Sequence, residues 1–111
     1  MENAVISDKS LASITSEDVR VRFVGKIIGM DEIGMFDVVD GDKKVKCLPP
    51  ASGAPRVKTG DIVVVTGKVA PGDTKEDFEI RTDSVQTISS EDYNNYNKYL
   101  KIRSELLNYG S

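Results

Sequence analysis

The chain has 111 residues, with 15 Lys and Arg against 18 Asp and Glu, and a net charge of −3. That length allows one small hydrophobic core, and 39% hydrophobic with 30% charged residues is ordinary globular composition. A negative balance argues against a stand-alone nucleic-acid binder, whose affinity comes largely from neutralised phosphates. There is no histidine and one cysteine, so the commonest general base, a disulfide framework and a Cys-X-X-Cys metal site are all excluded. What remains is a binding or assembly module, with no cofactor, no metal and no small-molecule substrate expected. No run approaches the roughly 18 apolar residues of a membrane helix, so no membrane is expected as a partner. Met1 to Ile6 lacks a basic, then apolar, secretory pattern, and the single Cys47 suits a reducing compartment.

The first segment, Ser7 to Thr15, predicts a short helix capped by Ser7 or Asp8, with Leu11 and Ile14 on one stripe. From Val19 the period becomes two. Val19, Val21 and Phe23 alternate with Arg20 and Arg22, and the run continues to Met30. A strand this long, with an internal Gly25, predicts a bent strand serving two sheets. Met35 to Val39 is a second strand and Asp40-Gly41-Asp42 a tight hairpin turn. Lys44 to Leu48 is a third strand, with Val45 and Cys47 on one face. Pro49 to Pro55 is an irregular loop. Ile62 to Ala70 is β-branched and nearly uninterrupted, as in a central strand. Pro71 to Asp77 is a polar connection. Phe78 to Ile88 is the fifth strand, and its parity breaks at Asp83-Ser84, which predicts a bulge there.

The pattern then changes. Ser89-Ser90-Glu91-Asp92 combines serine caps with acidic residues at the positive end of a helix. Tyr93 to Asn108 contains no Gly or Pro, and Gly110 is placed to end it. Tyr93, Tyr96, Tyr99, Leu100, Ile102, Leu106 and Leu107 form a broad apolar face on this helix. Such a face either covers the open end of its own barrel or meets a partner, and its width favours a partner. The expected fold is therefore all-β with flanking helices. It is a five-stranded antiparallel barrel of OB type, with a short N-terminal helix and a long C-terminal amphipathic helix. The barrel occupies 1–90 and the helix 91–111 of a single domain. An SH3-like barrel is the other candidate, but it gives no reason for the helix.

Several stretches resemble a known family. Ile6, Leu11-Ala12-Ser13-Ile14 and Val21-Arg22-Phe23-Val24-Gly25-Lys26-Ile27 resemble the N-terminal part of the small subunit of replication protein A, the heterotrimeric eukaryotic single-stranded DNA-binding complex. Asp40-Gly41, Val64-Val65-Thr66-Gly67-Lys68-Val69 and Asp92-Tyr93-Asn94 through Ile102 resemble its later elements. The likeness in element order runs over nearly the whole chain, and only the Pro49–Gly60 connection has no counterpart. The resemblance implies an OB-fold subunit whose C-terminal helix joins helices of the middle and large subunits in a three-helix bundle. It also implies a nuclear role in DNA replication, repair and recombination, with at most accessory contacts to single-stranded DNA. Related small OB proteins serve telomere-capping complexes, which is the alternative, together with an autonomous single-stranded nucleic-acid-binding module.

The expected subunit interface is Tyr93, Tyr96, Tyr99, Leu100, Arg103, Leu106 and Leu107, with Arg103 needing a partner or a rim position. Accessory DNA contacts are expected from Lys44, Lys46, Arg56 and Lys58. Phe36 is expected to stack on a base, with Phe78 as the other ring that could do so and Phe23 assigned to the core. The aromatic supply of the barrel is thin, because every Tyr lies in the C-terminal segment. The carboxylates fall in turns, where they satisfy backbone donors, and Cys47 lacks a histidine partner. Catalysis is not expected.

Overall fold

The computed structural model describes residues 5–74 and 76–109, with backbone alone for 104 and 107–109. The elements are β1 (Ser7–Asp8), a three-residue 3₁₀ turn (Leu11–Ser13), β2 (Arg20–Met30), β3 (Phe36–Asp40), β4 (Lys43–Leu48), β5 (Ile62–Pro71), β6 (Phe78–Thr87) and α1 (Ser90–Tyr109). Strands pair in the order β2-β3-β4-β6-β5, and β5 returns to β2 to close a five-stranded barrel. The sequence led us to expect every pair antiparallel. Four are, but β4 and β6 run parallel. Parity requires this: a closed ring of five strands cannot alternate direction throughout.

The long first strand serves both halves of the barrel, as its length predicts. From Arg20 to Lys26 it pairs with β5, and from Lys26 to Met30 with β3. The change of partner happens at Gly25, where the backbones come too close for a side chain. A Cβ there would sit 2.5 Å from Val38 Cγ1 and 2.8 Å from the Val39 carbonyl oxygen. The bulge expected in the fifth strand is also present. Thr66 pairs with Ser84 and Gly67 with Thr82, so Asp83 is left over.

The core consists of the inward residues of the alternating strands, including Val21, Phe23, Val38, Val45, Cys47, Val63, Val65 and Ile80. Leu11 and Ile14 join it from outside the sheet and close one end of the barrel against β2, β3 and β4. The expected N-terminal helix is corrected to that single 3₁₀ turn. The segment is too short to hold an α-helix by itself, and burial of two apolar side chains fixes its path instead. Ser7 and Asp8 are not its caps. They form β1, a parallel pairing with Val21 and Arg22 along the part of β2 that β3 leaves open. The expected helix stop at Gly110 and the side chain of Leu107 lie outside the described residues.

Gly25→Ala should cost about 1–3 kcal/mol through forced overpacking at the change of partner. A urea midpoint that does not move would show that the two halves of β2 tolerate separation there.

Candidate interaction surfaces

The first surface is the junction of α1 with the barrel. The helix starts on Ser89, whose Oγ accepts the Asp92 N–H at 3.0 Å, while Glu91 and Asp92 occupy the first turn. Three side chains at positions 93, 96 and 103 share a face and fasten it. Tyr93 donates its hydroxyl to Asp40 at 2.6 Å. The Tyr96 hydroxyl points between the Arg22 carbonyl oxygen at 2.8 Å and the Asp8 carboxylate at 3.1 Å. Arg103 donates to the Asp8 carbonyl oxygen at 3.0 Å. Asp8 is also held by Arg22 in a two-pronged ion pair of 2.6 and 3.0 Å.

The electrostatics follow from this geometry. The Arg22 guanidinium holds the Asp8 carboxyl below its usual value, against a partial opposing effect of burial. The bond to Asp40 raises the Tyr93 phenol. Burial, and then the Asp8 charge, raise the Tyr96 phenol. Cys47 is wholly buried in the core, and burial pushes its thiol up, which leaves it a packing residue.

Beyond these fastenings the helix shows an apolar stripe. Tyr99, Ile102 and Leu106 are 52%, 55% and 65% exposed, at spacings of three and four. An open groove of about 540 Å³ runs from Tyr96 and Tyr99 to Val24 and Val64 of the barrel and Ile88 beside it. Of the seven residues expected at a subunit interface, the six with described side chains are divided. Tyr93, Tyr96 and Arg103 bond to the barrel, Leu100 is half-buried, and Tyr99 and Leu106 stand free. Ile102 belongs with the free pair. Its spacing from Tyr99 is the sequence signal that places it there.

The second surface is the outer face of β3 and β4. Lys44 and Lys46 lie side by side on it, both exposed. Lys46 is 3.4 Å from Asp37 and stands opposite Glu79 in the register, so its charge is largely countered. Arg56 and Lys58 are exposed in a separate loop. That loop is tied to β2 through Gly60 and Asp61, which pair with Ile27, and its Val57 packs on the core. The expectation for Phe36 is corrected. Its side chain is 0% exposed, because it shares the inward parity of Val38. Phe23 is equally buried, and Phe78 is 7% exposed with the Lys43 ammonium 5.4 Å from its ring centre. None of the barrel's three phenylalanines offers a free stacking face.

No family model and no curated protein matches the chain. Solved structures do. The S. pombe Stn1-Ten1 complex superposes with a TM-score of 0.69 at 14% identity, covering 91% of this chain and 93% of that one. The S. pombe telomere-capping protein Ten1 gives 0.72 at 13%, over 91% and 99%. A replication protein A heterotrimer bound to single-stranded DNA gives 0.58 at 13%, over 80% and 73%. At such identities the likeness establishes architecture. The barrel is an OB fold. Oligonucleotides bind OB folds on the face of the second and third barrel strands and on the two loops beside it. In this OB fold those loops are 31–35 and 72–77. They carry exposed Asp31, Glu32, Asp73, Glu76 and Asp77, so the usual nucleic-acid face is framed by negative charge.

The junction of α1 has opposite pH limits at its two ends. Asp8 binds a proton less readily folded than unfolded, so its contribution is complete above the ordinary 3.8 and is lost as pH falls through the lower folded value. Tyr93 and Tyr96 hold their protons more tightly folded, so their contribution is complete below the ordinary 10.0 and is lost as pH rises through the higher folded values. Asp8→Asn should flatten the loss of stability on acidification and reduce the alkaline loss to what burial of Tyr96 and the Tyr93–Asp40 bond leave. Tyr96→Phe should cost about 1 kcal/mol near neutral pH. Denaturant midpoints across the pH range check both, and an unchanged acid limb in the Asp8 variant would remove Asp8 from this role.

Proposed function

We propose that the chain is a small assembly subunit of a single-stranded DNA-binding complex built from several OB-fold subunits. The observation that carries this reading is the stripe of Tyr99, Ile102 and Leu106, exposed beside an apolar groove on a helix already fastened to its own barrel. A stripe of this kind marks a contact with another chain. The acidic loops and buried phenylalanines support the second half of the reading, that the chain contributes assembly first and DNA affinity second.

Within this class we favour the replication form, a subunit like the small one of replication protein A. The short motifs around Phe23-Val24-Gly25-Lys26 and Asp92-Tyr93-Asn94 support it, as does the superposition on a replication protein A heterotrimer bound to single-stranded DNA. Its partners would be the middle and large subunits, joined through a three-helix bundle, and its place the nucleus. Telomere capping is the second reading, and one observation favours it. The likeness to Ten1 extends over 99% of that protein with a TM-score of 0.72. Both readings make the chain a binding component rather than an enzyme.

Affinity purification of the full chain should bring down OB-fold subunits, and their identity separates replication from telomere capping. Replacing Tyr99, Ile102 and Leu106 together by Glu should abolish their co-purification and leave the thermal midpoint within a few degrees, because the three side chains are largely exposed. Undiminished co-purification by this variant would overturn assembly through α1.

A further inference from the structure

A second charged feature lies on the opposite side of the barrel from the β3–β4 face. Arg20 of β2 is directly paired with Lys68 of β5, and Lys68 is directly paired with Arg81 of β6. All three point outward, since their neighbours Val21, Gly67, Ile80 and Thr82 are buried. Like charges in directly opposed cross-strand positions destabilise a sheet. This fold places three in one row. Asp83, displaced by the bulge, relieves only Arg20, at 3.2 Å. The Nε of Arg20 is buried without a hydrogen-bond partner. Glu79, the next outward position on β6 from Arg81, stands opposite Lys46 instead. Among the described residues neither Lys68 nor Arg81 has an ion-pair partner, and both are exposed.

The row continues into a pocket. Arg81 is paired with Leu48 on its other side. Leu48, Pro49 and Ala51 form the apolar wall of a recess of about 380 Å³ whose other wall is Lys68, Arg81 and Asp83. That volume lies within the range of small-ligand sites. An apolar wall beside a pair of cations suits one nucleotide of a polymer, with its phosphates on the cations and its sugar or base against Leu48 and Pro49. An acidic peptide fits the place less well. β5 is flanked by strands on both sides, so no free backbone edge is present to hold an extended segment.

We propose that Arg20, Lys68 and Arg81, with the Leu48–Pro49 wall, form a backbone track for single-stranded nucleic acid on the β2–β5–β6 face. The inference rests on the reading of the chain as a subunit of a single-stranded DNA-binding complex. It assigns the accessory contact to the outer face of β2, β5 and β6 rather than to the β3–β4 face. The contact is electrostatic and independent of sequence, because no aromatic platform accompanies it.

The test uses the isolated full chain and a fluorescein-labelled oligo-dT at low salt, read by anisotropy. Lys68→Glu with Arg81→Glu should weaken binding tenfold or more. Neutral Lys68→Gln with Arg81→Gln should make the log–log salt slope shallower by about 1.4, the value for two lost phosphate contacts to a single strand. The neutral pair also guards against a folding defect in the reversed pair, with the thermal midpoint of each as the control. Lys44→Glu with Lys46→Glu should leave binding unchanged. The proposal is overturned if the β4 pair carries the binding, if the wild-type chain binds no oligonucleotide at low salt, or if poly-glutamate displaces the oligonucleotide as well as unlabelled oligo-dT does. None of these measurements involves α1 or a partner subunit, so the assembly reading can stand when this one fails.

Discussion

The carboxylate of Asp8 is the point on which the arrangement of this molecule turns. One short side chain, carried by a two-residue strand, accepts both prongs of Arg22 and the hydroxyl of Tyr96, while its own carbonyl oxygen accepts Arg103. It thereby joins the N-terminal segment, the first barrel strand and the C-terminal helix. These fastenings are directional hydrogen bonds rather than packed apolar surface, and that choice has a structural consequence. A helix glued to its barrel by its apolar face would have nothing left to offer. This one is oriented by polar contacts at positions 93, 96 and 103, and keeps Tyr99, Ile102 and Leu106 in solvent. The apolar area of those three side chains is thus left uncovered by the barrel.

Charge is sorted across the barrel in a way that a net value of −3 conceals. The loops at 31–35 and 72–77 are acidic, and Lys46 of β4 has Asp37 and Glu79 beside it. On the β2–β5–β6 face the row of Arg20, Lys68 and Arg81 has one carboxylate among three cations. Because screening limits exposed charges to roughly 10 Å at ordinary salt, the sign of each face matters more to a passing polyanion than the total. A chain of acidic composition can therefore still present a locally positive row.

The sequence was legible wherever local physics decides the outcome. Period-two alternation located the strands, because a half-buried strand must alternate. Gly25 and the parity break at Asp83 marked the bend and the bulge, because a missing side chain and a skipped residue leave direct traces in the pattern. Ser89 with Glu91 and Asp92 marked the start of α1, because capping is settled within one turn. The site was less legible. Phe36 reads as an available aromatic until the inward parity of β3 is seen together with the closed barrel. Tyr93 and Tyr96 read as part of an apolar stripe until their hydroxyls are found on Asp40, Asp8 and the Arg22 carbonyl. Tyrosine is both apolar and a hydrogen-bond donor, and its sequence position does not say which property is used.

The amino-acid sequence by itself thus determined the class of fold, the order of its elements, the capped C-terminal helix and the absence of histidine chemistry, since each depends on residues close together in the chain. Only the tertiary structure decided which helix residues face the barrel, that Asp8 is a fastening rather than a cap, and that Arg20, Lys68 and Arg81 form one row. Those outcomes depend on strand register across tens of residues. A shift of one position would have turned every one of these side chains to the other face.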